Sequence, residues 1–151
     1  MKLCMIGTGY VGLVSGVCFS DVGNIVYCVD KDKKKIDLLN KGKVPIYEPG
    51  LEEILKRNYK AKRLFFTSNL SEAVKKSDII FICVGTPTQK KGNSADLKHV
   101  FNVAKQLKKS ISKYKIIITK STVPVTTGDK IEKILRNLKK KKLIDVVSNP
   151  E

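Results

Sequence analysis

At 151 residues and 42% hydrophobic content, the chain has room for one domain with a real core and none for a second domain of similar size. Thirty basic against 14 acidic residues give a formal net charge of +16, a balance that by itself would suit nucleic acid or an anionic membrane. Only Arg57, Arg63 and Arg136 are arginine and the lysines are scattered over every segment, whereas phosphate and base recognition favours the guanidinium fork; neither nucleic acid nor membrane is the expected partner.

Six apolar runs with strand character follow one another along the chain, at residues 3–6, 25–29, 64–67, 79–84, 116–119 and 143–147. Most are short, continuous and rich in Ile, Val and Phe, as strands buried on both faces should be. Segments of helical period lie between them. Residues 10–22 are small and apolar, residues 35–40 carry Ile36, Leu38 and Leu39, and residues 51–57 carry Leu51, Ile54 and Leu55. Residues 97–111 place Leu97, Val100, Phe101, Ala104, Leu107 and Ile111 on one side, and residues 128–138 do the same with Ile131, Ile134, Leu135 and Leu138. This alternation predicts an α/β fold: a single doubly wound parallel sheet with right-handed crossovers and strand order 3-2-1-4-5-6, the Rossmann fold, over residues 1–151.

The irregular pieces are "KVPIYEPG" (43–50), "GTPTQKKGNSAD" (85–96) and "KSTVPVTTG" (120–128). The last two leave the carboxyl ends of the fourth and fifth strands, where such sheets bind ligands. The four lysines at 139–142 follow a predicted helix and read as a solvated face favoured by the helix dipole. Cys4, Cys18, Cys28 and Cys83 each sit in an apolar run, show no zinc-type spacing and have no His or Arg beside them. They are expected to be buried free thiols of a reducing compartment, the cytoplasm, and not nucleophiles; no metal site is expected. Lys2 and the uncharged run 3–20 have the outline of a signal peptide, but a more specific pattern explains the same residues.

That pattern is "IGTGYVG", which sets Gly7, Gly9 and Gly12 in a GxGxxG spacing after a predicted strand and at the opening of a predicted helix. Asp30 stands at the end of the next strand. The conjunction has a mechanism. Gly7 permits a tight turn, Gly9 lets backbone approach a pyrophosphate, Gly12 lets the helix pack close, and the helix N-terminus offers N–H donors to the anion. Asp30 would accept hydrogen bonds from the adenosine ribose and repel a 2′-phosphate, which favours NAD over NADP; Lys31 and the lysines at 33–35 work against that preference. In "KSTVPVTTG", Ser121 and Thr122 stand at the carboxyl edge of the fifth strand, with Pro124 fixing the turn before the next helix. Helix capping by a hydroxyl is the simplest reading of that stretch, as a plain turn is for "YEPG" and "GTP".

Taken together, "IGTGYVGLVSG", "PIYEPGLEE", "VGTPT" with the later "ADL", "KSTVPV" and "SNPE" resemble the UDP-glucose 6-dehydrogenases in order and spacing, over essentially the whole chain. The enzymes acting on GDP-mannose and UDP-N-acetylmannosamine look similar in this region. The resemblance implies NAD-dependent oxidation of UDP-glucose to UDP-glucuronate in two hydride transfers, through a covalent intermediate on a cysteine, in a dimeric enzyme of polysaccharide precursor supply. It implies that the backbone of Tyr10 and Val11 and the three glycines hold the pyrophosphate, that Asp30 and Lys35 hold the adenosine ribose, and that Thr86 and Ser121 line the nicotinamide half. Thr122 and Glu151 match the threonine and glutamate that the family sets beside the reacting carbon, where they order a water and assist proton movement. The family's nucleophilic cysteine, with a lysine, an asparagine and an aspartate, belongs to sequence beyond "SNPE". The chain is therefore expected to be the NAD-binding domain without the central and sugar-binding domains, inactive alone. Where "STVPVGTG" is expected, Thr126-Thr127-Gly128 stands instead. The contrasting reading from another class is a free-standing basic Rossmann module that binds nucleic acid.

Overall fold

The computed structural model describes residues 1–89 and 94–150. Six parallel strands, β1 (Lys2–Ile6), β2 (Ile25–Val29), β3 (Leu64–Thr67), β4 (Ile79–Ile82), β5 (Lys115–Thr119) and β6 (Ile144–Ser148), form one sheet in the order β3-β2-β1-β4-β5-β6. The order, the parallel pairing and the single doubly wound sheet are those the alternation predicted. Crossing between the strands are α1 (Tyr10–Asp21), α2 (Lys33–Asn40), α3 (Leu51–Lys60), α4 (Leu70–Lys76), α5 (Lys98–Ser110), α6 (Thr127–Ile134) and α7 (Arg136–Lys140).

Alternation along each strand divides the core in two. Leu3, Met5, Val26, Cys28 and Phe81 face α1, α2 and α3 through Leu13, Val17, Ile36, Leu39, Leu51 and Leu55. Cys4, Ile6, Ile80, Ile82, Ile117 and Ile144 face the other side, against Ala73, Val74, Val100, Ala104, Leu107, Ile131 and Leu135. Each face buries several Leu- or Ile-sized side chains, each worth roughly 1.5–3 kcal/mol when fully removed from water. The strand order reverses between β1 and β4, and a crevice opens there at the carboxyl edge.

The departures from the sequence-based expectation have local causes. Helix α2 begins at Lys33 and not at residue 35, because Asp32 caps it: its Oδ1 accepts from the amides of Lys34 and Lys35 at 3.0 and 3.2 Å. Helix α4 was not expected at all. Its signal is the N-cap Asn69 with Glu72 three residues on: the Glu72 amide donates to Asn69 Oδ1 at 3.2 Å and Asn69 Nδ2 donates to Glu72 Oε2 at 3.4 Å. The predicted helix over 128–138 is two helices separated at Leu135, whose ψ is 10°. Lys139 and Lys140 lie inside α7 and not after it, and Lys139 Nζ pairs with Glu132 and Asp145.

Not every strand is buried on both faces. The edge strand β6 buries only Ile144, and Val147 is 43% exposed. Strand β5 begins one residue early with Lys115, a buried lysine whose Nζ donates to the Ser77 carbonyl at the end of α4. Burial pushes its ammonium below the usual lysine range, against the pull of Asp78. Two of the three arginines are used inside the fold: Arg57 pairs with Asp21 at 2.8 Å, and Arg63 Nε donates to the Ser20 carbonyl and to Asn58 Oδ1.

Of the cysteines, Cys4, Cys28 and Cys83 are buried, while Cys18 is exposed. It lies on the outer side of α1, where an apolar run in sequence does not mean a buried residue. All four are free. Burial pushes the Cys4 and Cys28 thiols well above the ordinary value, which leaves both protonated and unreactive at neutral pH. Among the described residues no helix is long and apolar enough to cross a membrane, and no cluster of three or more His, Cys, Asp or Glu is placed to hold a metal ion.

Candidate functional site

The crevice at the carboxyl ends of β1, β2, β4 and β5 has a volume of about 670 Å³. The glycine loop forms its floor. Gly7 leaves β1 with φ +105°, a conformation open to glycine but strained for other residues, and a Cβ there would lie 2.6 Å from the Cys83 carbonyl oxygen. Gly12 sits one turn into α1, where a Cβ would fall 1.9 Å from the Gly7 carbonyl oxygen. These two glycines are thus explained by the protein itself. Gly9 is not: its φ is −76°, and a Cβ built there meets nothing within 4 Å. The open space at Gly9 leaves room for close backbone approach to a ligand. Gly7, Gly9, Tyr10 and Val11 line the crevice, so the first turn of α1 faces it, whereas Gly12 is buried beneath the loop and acts through packing alone.

Asp30 follows β2 and faces the same space with a side chain only 13% exposed. Its Oδ2 accepts from the Thr8 hydroxyl at 2.7 Å, from the Thr8 amide at 3.0 Å and from Lys35 Nζ at 3.4 Å; its Oδ1 accepts from the Asp32 amide at 3.0 Å. Burial by itself would raise this carboxyl. The hydrogen bonds from Thr8 and from the Asp32 amide, with the Lys35 charge, outweigh that and hold it below the usual carboxylate range. A group with a lowered folded-state pKa stabilises the fold fully above its unfolded value, near 3.9, and loses that contribution as the pH falls through the folded value. Asp30→Asn is therefore expected to melt at a lower temperature than the unaltered chain at pH 7, with the gap closing as the pH falls through the lowered folded-state value of Asp30. Melting curves across that range check it, and a gap independent of pH would contradict the account.

The far wall comes from the loops after β4 and β5. Ser121, 5% exposed, donates its hydroxyl to the carbonyl of Val84 at 2.7 Å and to that of Ile82 at 3.2 Å, tying the two strand ends together. Thr86 Oγ1 donates to the Thr122 carbonyl at 2.9 Å and ties the loops again one step further out. Thr86, Ser121 and Thr122 all line the crevice. Within the loop over 85–96, Thr88 pairs with Ala95 in an antiparallel bridge, and residues 90–93 lie outside the described residues, as does Glu151.

Of the site residues expected from sequence, Gly7, Gly9, Tyr10, Val11, Asp30, Lys35, Thr86, Ser121 and Thr122 thus meet in one crevice. Sequence reasoning missed Thr8, which hides between the glycines, and a polar row on α5: His99, Asn102 and Gln106 face the crevice beside Val103. The signal was present as three polar residues at helical spacing, interleaved with the apolar stripe of a helix that follows β4.

A doubly wound sheet whose glycine loop, helix N-terminus and acidic strand end face one crevice is a dinucleotide-binding domain. The chain matches over residues 1–151 the "UDP-glucose/GDP-mannose dehydrogenase family, NAD binding domain". It belongs to that family, and it is the NAD-binding part of such oxidoreductases. It is 50% identical over 151 residues to a UDP-glucose 6-dehydrogenase of Rhizobium meliloti, a match that covers 100% of this chain and 35% of the relative. A GDP-mannose dehydrogenase from Pseudomonas aeruginosa superposes with a TM-score of 0.93 at 37% identity, over 100% of this chain and 36% of that one. A UDP-glucose dehydrogenase from Pyrobaculum islandicum does so with a TM-score of 0.92 at 37% identity, over 99% of this chain and 35% of that one. The chain spans about a third of the length of the curated UDP-glucose 6-dehydrogenases it matches.

Proposed function

We propose that this chain supplies the NAD site of an NAD-dependent UDP-glucose 6-dehydrogenase, which oxidises the C6 alcohol of UDP-glucose to the carboxylate of UDP-glucuronate in the cytoplasm. The observation that carries the reading is the pairing of an open Cβ position at Gly9 with an ionised, anchored Asp30 across the same crevice. The residues fit the cofactor. Amides at the start of α1, with Gly7 and Gly9, face the pyrophosphate, and the helix dipole favours its charge. Asp30 and Lys35 take the adenosine ribose. Thr86 and Ser121 line the nicotinamide half, and the main-chain ties they make fix the loop spacing there. Bound NAD supplies the hydride acceptor; the chain's own residues orient it, and Thr122 with Glu151 would order a water beside the reacting carbon and help move its proton.

None of the chain's four cysteines fits a nucleophile. Cys4 and Cys28 are core residues with raised thiols, Cys18 is on the outside of α1, and Cys83 is 6% exposed beneath the glycine loop. The purified chain should therefore bind NAD yet form no NADH from UDP-glucose, as read by NADH absorbance. Robust turnover by the chain alone would contradict this assignment. Solved structures of enzymes named for GDP-mannose and for UDP-glucose resemble this chain at the same 37% identity, so the sugar nucleotide is tested separately. In the whole enzyme, which we take to be a homodimer, UDP-glucose should be preferred over GDP-mannose and UDP-N-acetylmannosamine; oxidation of either in preference would reassign the substrate.

A further inference from the structure

Thr8 occupies a position that the glycine spacing leaves free to vary, yet it is fully buried. Its hydroxyl and its amide both end on one atom, Asp30 Oδ2, at 2.7 and 3.0 Å, and Lys35 Nζ approaches the same oxygen at 3.4 Å. A carboxylate oxygen offers about two lone-pair sites, so Oδ2 is filled by the protein. Among the described residues Oδ1 has one donor, the Asp32 amide, and keeps a second direction open. Lys31 and Lys35 line the same crevice, and they are the cations that would otherwise serve a 2′-phosphate.

We infer that Thr8 is the positioning residue that anchors Asp30 through Oδ2, turns Oδ1 toward the adenosine ribose, and so sets the preference for a free 2′-hydroxyl over a 2′-phosphate. The inference rests on the NAD-site reading proposed above. Two bonds from one buried residue to one oxygen stop the carboxylate from swinging out of that position toward Lys31. Without the Thr8 hydroxyl that oxygen is held only by the Thr8 amide and Lys35, and the carboxylate can rotate away from the ribose, which weakens its hold there and lessens the repulsion a 2′-phosphate meets.

The test is calorimetric titration of NAD and of NADP into the 151-residue chain and its variants, with folding checked by circular dichroism. Thr8→Val keeps the shape and withdraws the hydroxyl; NAD affinity should fall by about tenfold and NADP affinity by less, so that the preference drops roughly fivefold, in line with the loss of one hydrogen bond to a charged group. Thr8→Ser, which keeps the donor, should retain the preference to within about twofold of the unaltered chain. If Thr8→Val does not fold, Thr8→Ala against Thr8→Ser carries the same comparison. An unchanged preference in the variant lacking the hydroxyl, or an equal weakening of both dinucleotides, overturns the inference, as does a failure of Thr8→Ser to retain it. Asp30→Ala run in parallel separates the two levels. Loss of preference there, with Thr8→Val unchanged, leaves the ribose assignment standing and removes Thr8 from it. Unchanged preference in Asp30→Ala, or no NAD binding by the unaltered chain, removes both.

Discussion

Asp30→Ala is expected to weaken NAD binding by roughly tenfold to a hundredfold, the range that follows from removing hydrogen bonds to a charged acceptor worth about 1.5–3 kcal/mol. The substitution also releases the partners that Asp30 now occupies: the Thr8 hydroxyl loses its acceptor inside the protein, and Lys35 loses its counter-charge. NADP should be affected far less, because its 2′-phosphate gains from the removal of a nearby negative charge while Lys31 and Lys35 remain. Titration of both dinucleotides against the unaltered chain and the variant reads the effect. Unchanged NAD affinity in a folded Asp30→Ala chain would sink the ribose contact.

The second large effect separates the three glycines of the loop. Gly12→Ala would drive its methyl to 1.9 Å from the Gly7 carbonyl oxygen, with Cys83 Cβ at 3.0 Å, and neither neighbour is the far end of a flexible side chain that could yield. Overpacking of that kind should cost about 3 kcal/mol or more, a fall in melting temperature of roughly 6–12 °C for a chain of this size. Gly7→Ala should behave similarly, with a left-handed φ added to its 2.6 Å clash. Gly9→Ala should leave the melting temperature nearly unchanged, since the new methyl meets nothing, and should lose NAD binding if the methyl occupies the space proposed for the pyrophosphate. The three variants, melted and titrated side by side, give opposite patterns. A Gly9→Ala chain that binds NAD normally would place the pyrophosphate elsewhere.

Why the sheet was readable and parts of the site were not follows from where each kind of information sits. Four of the six strands, β2, β1, β4 and β5, have a neighbouring strand on both sides, and their continuous apolar runs are the direct result of burial against helices on two faces. Elements set by a single capping residue left weaker traces: α4 starts at Asn69, with Glu72 beside it, and the first residues of α2 at Asp32. Cys18 shows the limit of reading burial from apolar neighbours, since α1 is apolar around much of its circumference but exposed on its outer side. At the site, the glycines and Asp30 were legible because their spacing encodes a backbone path. Thr8 was not, because its role depends on contact with a residue 22 positions away. The polar row on α5 depends likewise on how that helix crosses the sheet. Ser121 was read only as a crevice-lining hydroxyl, and the structure adds its ties to the Ile82 and Val84 carbonyls.

The central claim is that this chain assembles a working NAD site from its own glycine loop and Asp30, and calorimetric titration of NAD and then NADP into the 151-residue chain tests it most directly. The chain has no Trp, so heat and not indole quenching is the suitable readout. The account predicts saturable binding of NAD with clear preference over NADP. Equal or stronger binding of NADP, or no binding of either by the folded chain, would contradict it.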